Sequence, residues 1–164
     1  MLIVEDEFLT ADNIKEYLID LGHVVKGIAR DAEEAIKLLG TYKIDMAILD
    51  LNIQGVRDGI WLASYIREHY QIPFIFLTAY SDEWTVKSAV ETKPFGYLVK
   101  PFTKMNLYTT LEVARENFIQ ITQQDEAKNE PVIPGQTLEM EDYLFIKEKN
   151  GHSKVLVGEI AYAL

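Results

Sequence analysis

The sequence predicts an α/β protein built on a doubly wound, five-stranded parallel sheet. Within residues 1–122, five short runs rich in β-branched residues occur, mostly without polar alternation. Such near-continuous apolar runs are typical of strands that are buried on both faces. An amphipathic stretch follows each run, so strand and helix alternate five times along the chain. Because crossovers of this length are almost always right-handed, the helices are expected to cover both faces of the sheet.

The strands are predicted at the apolar runs, and the helices at the apolar stripes between them. The runs cover residues 2–4, 24–28, 46–49, 74–77 and 97–99. The stripes recur at the three- or four-residue spacing of a helix face. In order, they are Ile14, Leu18 and Leu21; Ala35, Leu38 and Leu39; Ile60, Ala63 and Ile66; Val86, Ala89 and Val90; and Leu107, Leu111, Ala114, Phe118 and Ile121.

Polar residues at the starts of three of these helices support the assignment. Asp31 precedes the second helix, Ser81 and Asp82 precede the fourth, and Thr103 precedes the fifth. Side chains of these types accept hydrogen bonds from the first free N–H groups of a helix. We therefore expect them to act as N-caps.

The last 42 residues differ in character from the first 122. Residues 123–141 are polar, contain Pro and Gly, and lack periodicity, which predicts a linker. A strand follows at residues 143–147, then the turn dipeptide Asn150-Gly151, then a second strand at residues 154–157. Two strands cannot bury a core alone, so this small C-terminal hairpin is expected to pack on something else or to be a fragment of a larger domain.

Composition excludes several classes of protein. The chain has 16 Lys and Arg residues and 26 Asp and Glu residues, which gives a net charge of −10. Residues 1–122 and residues 123–164 are each acidic. Such a surface repels nucleic acid and anionic lipid. The chain has no cysteine, so it has no disulfide or thiolate site, which fits a reducing cytosol. It also has no apolar run of about 18 residues, so no membrane span is predicted.

Polar residues follow four of the five predicted strands. Glu5 and Asp6 follow the first, Asp50 the third, Thr78 the fourth, and Lys100 the fifth, while the second contributes none. In open parallel sheets, ligands bind beyond the carboxyl ends of the strands. Three converging carboxylates repel one another unless a cation lies among them. Mg²⁺ is the natural candidate, and such a centre suits phosphoryl transfer to a carboxylate.

Four segments in this order resemble the signatures of two-component response-regulator receiver domains. They begin at residues 2, 47, 76 and 97, and read LIVEDE, AILDLN, FLTAY and YLVKPF. The resemblance covers about residues 1–122 and implies a flavodoxin-like sheet of order 2-1-3-4-5. It also implies that Asp50 is the phosphoacceptor, and that Mg²⁺ binds to Glu5, Asp6, Asp50 and the backbone carbonyl of Asn52. The remaining roles that it implies are phosphoryl contacts at Thr78, Ala79 and Lys100, a switch formed by Thr78 and Tyr97, and a cis peptide bond before Pro101.

The resemblance also implies a mechanism and partners. Phosphorylated Asp50 would attract Thr78, and Tyr97 would turn inward, changing the face formed by the fourth helix, fifth strand and fifth helix. That face usually mediates homodimerisation. The three histidines have no assigned role, so the phosphoryl group would come from a sensor histidine kinase or a phosphotransfer protein, in the cytoplasm. The sequence departs from the family at Gln54, where a proline is common, and has a slightly longer loop there.

The tail resembles the opening hairpin of a LytTR-type DNA-binding domain. The matching segments are YLFIK from residue 143, NG from residue 150, KVLV from residue 154 and EIAY from residue 159. They correspond to about the first quarter of such a domain. The resemblance implies domains at 1–122 and 142–164, joined by the linker at 123–141. DNA binding and control of transcription would then depend on parts that this chain lacks.

Three alternatives to a phosphorylation-switched transcription regulator stay open at this point. The first is a receiver that acts alone through protein–protein contacts. The second is a phosphohydrolase with an aspartyl nucleophile, but such enzymes typically need an acid two residues after it, and Asn52 cannot deliver a proton. The third is a receiver that works without phosphorylation, whose signature would be loss of the acidic pair, of Asp50 or of Lys100. None of these residues is lost, so we expect a signalling protein rather than a turnover enzyme.

Overall fold

The predicted sheet is confirmed in the computed structural model, which describes residues 1–79, 83–128, 143–148 and 151–156. Met1–Lys128 form one compact unit. Five parallel strands lie in the order β2-β1-β3-β4-β5. The strands are β1 (Leu2–Val4), β2 (Gly27–Ala29), β3 (Ala47–Asp50), β4 (Phe74–Thr78) and β5 (Gly96–Val99).

Five helices alternate with these strands and cover both faces of the sheet. They are α1 (Phe8–Asp20), α2 (Ala32–Thr41), α3 (Gly59–His69), α4 (Glu83–Glu91) and α5 (Lys104–Lys128). One core cluster joins buried residues of α2, α3 and α4 to one sheet face, and a second joins those of α1 and α5 to the other. Leu2 and Val4 belong to the first cluster and Ile3 to the second, so alternate residues of an all-apolar strand serve opposite faces.

The predicted caps account for the starts of two helices. Asp31 accepts a hydrogen bond from the Glu34 N–H at 2.8 Å, as expected for the N-cap of α2. Before α5, the Asn106 N–H donates to Thr103 Oγ1 at 3.2 Å, and the Thr103 N–H donates to Asn106 Oδ1 at 3.1 Å. This reciprocal pair is a capping box with Asn106 in place of the usual Glu or Gln. The cap candidates Ser81 and Asp82 lie outside the described residues.

The limits of β2 and α5 differ from the prediction. The strand predicted at residues 24–28 covers Gly27–Ala29, and Val24 is 63% exposed. The register explains this shift, because β2 pairs only alongside the three residues of β1, with Leu2 opposite Gly27 and Val4 opposite Ala29. The helix α5 continues through residues 123–128, which the sequence pattern assigns to a linker. Five of those six residues are polar, but Gln, Glu, Ala and Lys are good helix formers.

The C-terminal strands form a hairpin of their own. Antiparallel β6 (Tyr143–Glu148) and β7 (Gly151–Leu156) pair with Tyr143 opposite Leu156 and Glu148 opposite Gly151. Both predicted strands are therefore present, although β7 begins and ends earlier than the predicted 154–157. Asn150 of the predicted turn lies outside the described residues. Among the helices that the structure describes, none combines the length and the apolar character needed to cross a bilayer.

Candidate functional site

The residues predicted at the strand ends meet at the carboxyl edge of the sheet. Glu5 directly follows β1, Asp50 and Thr78 end β3 and β4, and Lys100 directly follows β5. The strand register places these residues at similar heights along the sheet, because Asp50 lies opposite Leu77, next to Thr78, and Thr78 lies opposite Val99, next to Lys100. Glu5 is 1% exposed, Asp50 5% and Thr78 8%, so three polar side chains are buried beside the apolar core.

Lys100 holds two of the carboxylates together. Its Nζ donates to Glu5 Oε2 at 2.6 Å and also to Asp50 Oδ2. The lysine side chain is 19% exposed, so the ammonium is largely removed from water. Because buried charges are tolerated only when they are paired, this bridge accounts for two carboxylates at nearly full burial.

The other oxygen of each carboxylate accepts a backbone N–H. Glu5 Oε1 accepts from Glu7 N at 3.1 Å, and Asp50 Oδ1 accepts from Asn52 N at 2.8 Å. Both acids are thus held on one side by the main chain and on the other by a flexible lysine. Of the two contacts on Asp50, the one at Oδ2 can be released by a side-chain movement alone.

Asp6 completes a cluster of three acids. One carboxylate oxygen from each of Glu5, Asp6 and Asp50 lies within 4.8 Å of the other two. Asp6 is half-buried, and Asn52, two residues beyond Asp50, is exposed. A cluster of oxygen donors of this size fits a hard divalent cation such as Mg²⁺, which binds through carboxylates and keeps several of its waters.

The cluster perturbs two pKa values. Burial raises the pKa of Glu5 from 4.5 to about 7, although the hydrogen bond from Lys100 opposes this rise. Burial alone would lower the pKa of Lys100, but its hydrogen bonds to Asp50 and Glu5 outweigh this effect, and its pKa lies above the usual value. A cation therefore stabilises the site in its ionised form.

Tyr97 lies on β5 and is turned partly toward solvent. Its side chain is 38% exposed, and its ring centroid lies 5.9 Å from that of the buried Phe76. Burial of the remaining part raises the pKa of the Tyr97 hydroxyl. Ala79, directly after Thr78, is exposed, and the Lys100–Pro101 peptide bond is cis, as the resemblance implies.

The loop between β3 and α3 is held close to the site at both ends. Gly59 at the start of α3 is buried, and its N–H donates to the Leu51 carbonyl at 3.1 Å. A Cβ at position 59 would overlap the carbonyl oxygen of Asp50 and lie 2.9 Å from its carbonyl carbon. Earlier in the same loop, Gln54 forms an isolated β-bridge with Asp31. The stretch without the common proline is therefore tied to the start of α2.

Sequence reasoning missed one cation at this edge. Arg30 directly follows β2 and lines a cavity of about 390 Å³ together with Glu5, Phe8 and Glu34. A second strand predicted to end at Ile28 is followed by the apolar Ala29, so the pattern predicts no polar residue at its end. The signal was present in Asp31, because an N-cap at that position requires the strand to end just before it.

Comparison with known protein families agrees with this geometry. The family model for the response regulator receiver domain matches residues 1–112. The chain belongs to that family. Its five-stranded sheet and the acidic cluster at the carboxyl edge are thus those of a receiver.

Similar sequences include receivers of transcription regulators. The receiver is 37% identical over 122 residues to transcriptional regulatory protein PdtaR of Mycobacterium tuberculosis, which covers 74% of this chain and 59% of that protein. It is 33% identical over 107 residues to aerobic respiration control protein ArcA of Escherichia coli, and this match covers 65% of this chain and 44% of that protein. The chain therefore spans about half the length of these relatives.

Solved structures share the fold of the receiver. The signal receiver domain of a modulated diguanylate cyclase from Desulfovibrio desulfuricans G20 has a TM-score of 0.69 at 33% identity, over 73% of this chain and 94% of that one. NtrX from Brucella abortus has a TM-score of 0.71 at 25% identity, over 84% of this chain and 31% of that one.

Proposed function

We propose that this receiver is the input domain of a response regulator that accepts a phosphoryl group on Asp50. The donor is a phosphohistidine of a sensor histidine kinase or of a phosphotransfer protein. One observation carries the proposal: Lys100 joins Asp50 to Glu5 at the carboxyl edge of the sheet, beside Asp6. A nucleophilic carboxylate, a cation and a metal-binding pair are the parts that phosphoryl transfer to an aspartate needs.

In the transfer step, a carboxylate oxygen of Asp50 forms a bond to phosphorus while the bond from phosphorus to the histidine nitrogen breaks. Asp50 Oδ2 is the oxygen suited to attack, because its partner is the movable Lys100 side chain, whereas Oδ1 is held by the Asn52 N–H. The released ammonium then pairs with a phosphoryl oxygen. Thr78 and the backbone N–H of Ala79 supply further contacts at the end of β4.

Glu5, Asp6, Asp50 and the backbone carbonyl of Asn52 are proposed to hold Mg²⁺. The donor set fits, since the three carboxylates lie within 4.8 Å of one another and are all oxygen ligands. When bound, the ion supplies positive charge for the phosphoryl oxygens. The protein's own task is to keep three acids together, which the backbone N–H groups of Glu7 and Asn52 do for two of them.

The proposed output is a change of the face formed by α4, β5 and α5. Thr78 moves toward the phosphoryl group, and Tyr97 turns from its half-exposed position into the space vacated. This face carries several apolar side chains that are 42–67% exposed, and a second copy of the chain would bury them in a homodimer. They are Val90, Val99, Met105 and Tyr108.

We also propose that the output is control of transcription in the cytoplasm. The proposed arrangement is a receiver at 1–122, a linker at 123–141 and, at 142–164, the first hairpin of a LytTR-type DNA-binding domain. The β6–β7 hairpin supports the last assignment, and the names of PdtaR and ArcA support the transcriptional role. In this arrangement the receiver is a signalling domain rather than a turnover enzyme, and only the rest of the output domain contacts DNA.

The test is to incubate the chain with acetyl phosphate and Mg²⁺, and to follow its mass and its oligomeric state. We expect one base-labile phosphoryl adduct, which is lost in Asp50→Asn and in excess chelator, and a shift toward dimer. Asp45→Asn is the matched control, because Asp45 is exposed and precedes the same strand at the opposite edge. No adduct, an adduct that survives Asp50→Asn, or rapid release of phosphate over many turnovers would contradict the proposal.

A further inference from the structure

We infer that a groove at the amino-terminal edge of the sheet, opposite the acidic cluster, docks an acidic peptide segment of a partner protein. Two cavities of about 360 and 330 Å³ adjoin there and share Arg67, Phe95 and Ile121. Both lie between the end of α3, the segment before β5 and the second half of α5. Together these two cavities form the amino-edge groove.

The floor of the amino-edge groove is apolar. Phe118 of α5 packs edge-on against Phe95, with ring centroids 5.4 Å apart, and the almost fully buried Phe74 lies beneath. Ile121 at the rim is 50% exposed. An aromatic or branched side chain of a partner can therefore pack on these rings and remove Ile121 from water.

The charge around this floor has one sign. Of the described residues that line the groove, Arg67 and Lys93 are cationic and none is a carboxylate. The chain as a whole has 26 acidic residues in 164, so about two would be expected among thirteen lining residues. Amides take the place of acids there, at Gln71, Asn117, Gln120 and Gln124. On a chain of net charge −10, two cations without a carboxylate among the described lining residues suit an acidic partner.

Arg67 is already oriented for such a partner. Its Nη1 donates to the carbonyls of Thr92 at 3.0 Å and Lys93 at 3.5 Å, which fixes the guanidinium at the rim. An arginine has five N–H donors in a planar fork. Among the described residues, neither Nε nor Nη2 has a hydrogen-bond acceptor, so these donors can bind a carboxylate with little further loss of side-chain entropy.

The shape of the groove favours a peptide over a small molecule. Small-molecule sites enclose most of their ligand, whereas Ile121, which lines both cavities, is itself 50% exposed. Nucleic acid is disfavoured by the overall charge of −10. The expected occupant is a short segment with one aromatic or branched apolar anchor flanked by Asp or Glu.

The experiment selects random dodecapeptides displayed on phage against the full chain, with counter-selection against Ile121→Asp. Enriched peptides are expected to carry an apolar anchor between acidic residues. Their affinity for the Ile121→Asp and Lys93→Glu variants should fall roughly thirtyfold, as for loss of an interface hot spot. Val113→Asp is the matched control, because Val113 is also β-branched, lies on α5 and is 52% exposed, and this variant should bind like the parent.

Several outcomes would overturn the inference. They are no enrichment, enrichment of neutral or basic peptides, and an equal loss of affinity in Ile121→Asp and Val113→Asp. Circular dichroism melts of all three variants show whether each is folded, and Lys93→Glu tests the charge without touching the apolar floor. Binding by the acidic peptides that does not weaken as salt is raised would also contradict the proposed role of the two cations.

Discussion

The contact between Gly59 and the backbone of Asp50 yields a quantitative prediction for the substitution Gly59→Ala. The added Cβ would overlap the Asp50 carbonyl oxygen and lie 3.0 Å from Leu51 Cα. Since ordinary contacts begin near 3.4 Å and the neighbours are main-chain atoms, the start of α3 must move away from β3. Overpacking that forces a backbone shift costs about 3 kcal/mol. For a unit of this size, that loss lowers Tm by roughly 10 °C.

Gly40→Ala is the matched control. Gly40 also lies in a helix, α2, but nothing lies within 4 Å of a Cβ built there. Because alanine is the better helix former, Gly40→Ala is expected to stabilise the protein by about 0.5 kcal/mol. The assay is urea unfolding followed by far-UV circular dichroism, with the midpoint and the slope fitted for each variant.

The same two variants distinguish an effect on the stability of the fold from an effect on phosphorylation at the site. Gly59→Ala displaces the carbonyl of the residue proposed to accept the phosphoryl group, so adduct formation from acetyl phosphate should slow even where the variant is fully folded. Gly40→Ala should match the parent. Equal stabilities and equal phosphorylation rates for the two variants would refute the argument that close approach at Gly59 fixes the position of Asp50.

Three further predictions follow from the site and its supports. Without divalent ions, Glu5 should make the fold less stable as pH rises from 4.5 to about 7, by about 3 kcal/mol, because the folded state retains a proton that the unfolded state loses; urea unfolding at each pH should show no such slope in Glu5→Gln. Asp31→Ala should cost about 1 kcal/mol by removing the cap of α2, and an unchanged urea midpoint would contradict this. Lys100→Gln should slow phosphoryl uptake by roughly a hundredfold or more, whereas Lys104→Gln, which removes only an exposed pair with Asp20, should not.

The strand ends could be predicted from the sequence because buried parallel strands leave a strong signal. Four of the five apolar runs stop where a polar residue begins, and this pattern predicts Asp50 and Lys100 at one edge of the sheet. The start of β2 could not be located in this way, since Val24 and Val25 are as apolar as the strand itself, and only pairing with β1 excludes them. Polarity does not mark the end of α5, because most of residues 123–128 are polar and yet are good helix formers.

The geometry of the site depends on distances that no sequence pattern contains. The sequence motifs predict that Lys100 lies near the acidic residues. Its simultaneous hydrogen bonds to Glu5 and Asp50, however, depend on the conformation of its side chain. The raised pKa of Glu5 follows from burial to 1% exposure, which is a property of the packed fold. The position of Arg30 at the sheet edge likewise depends on where β2 ends, which the apolar pattern does not mark.

The bridge from Lys100 to Glu5 joins residues that are 95 positions apart. During synthesis the amino-terminal acids leave the ribosome well before the lysine, so the two carboxylates have no ammonium partner until β5 has joined the sheet. Because Lys100 follows β5, the last of the five strands, the bridge requires β1, β3 and β5 to be in place in the sheet. A nascent or locally unfolded chain thus lacks the completed site, which links competence for signalling to the integrity of the entire domain.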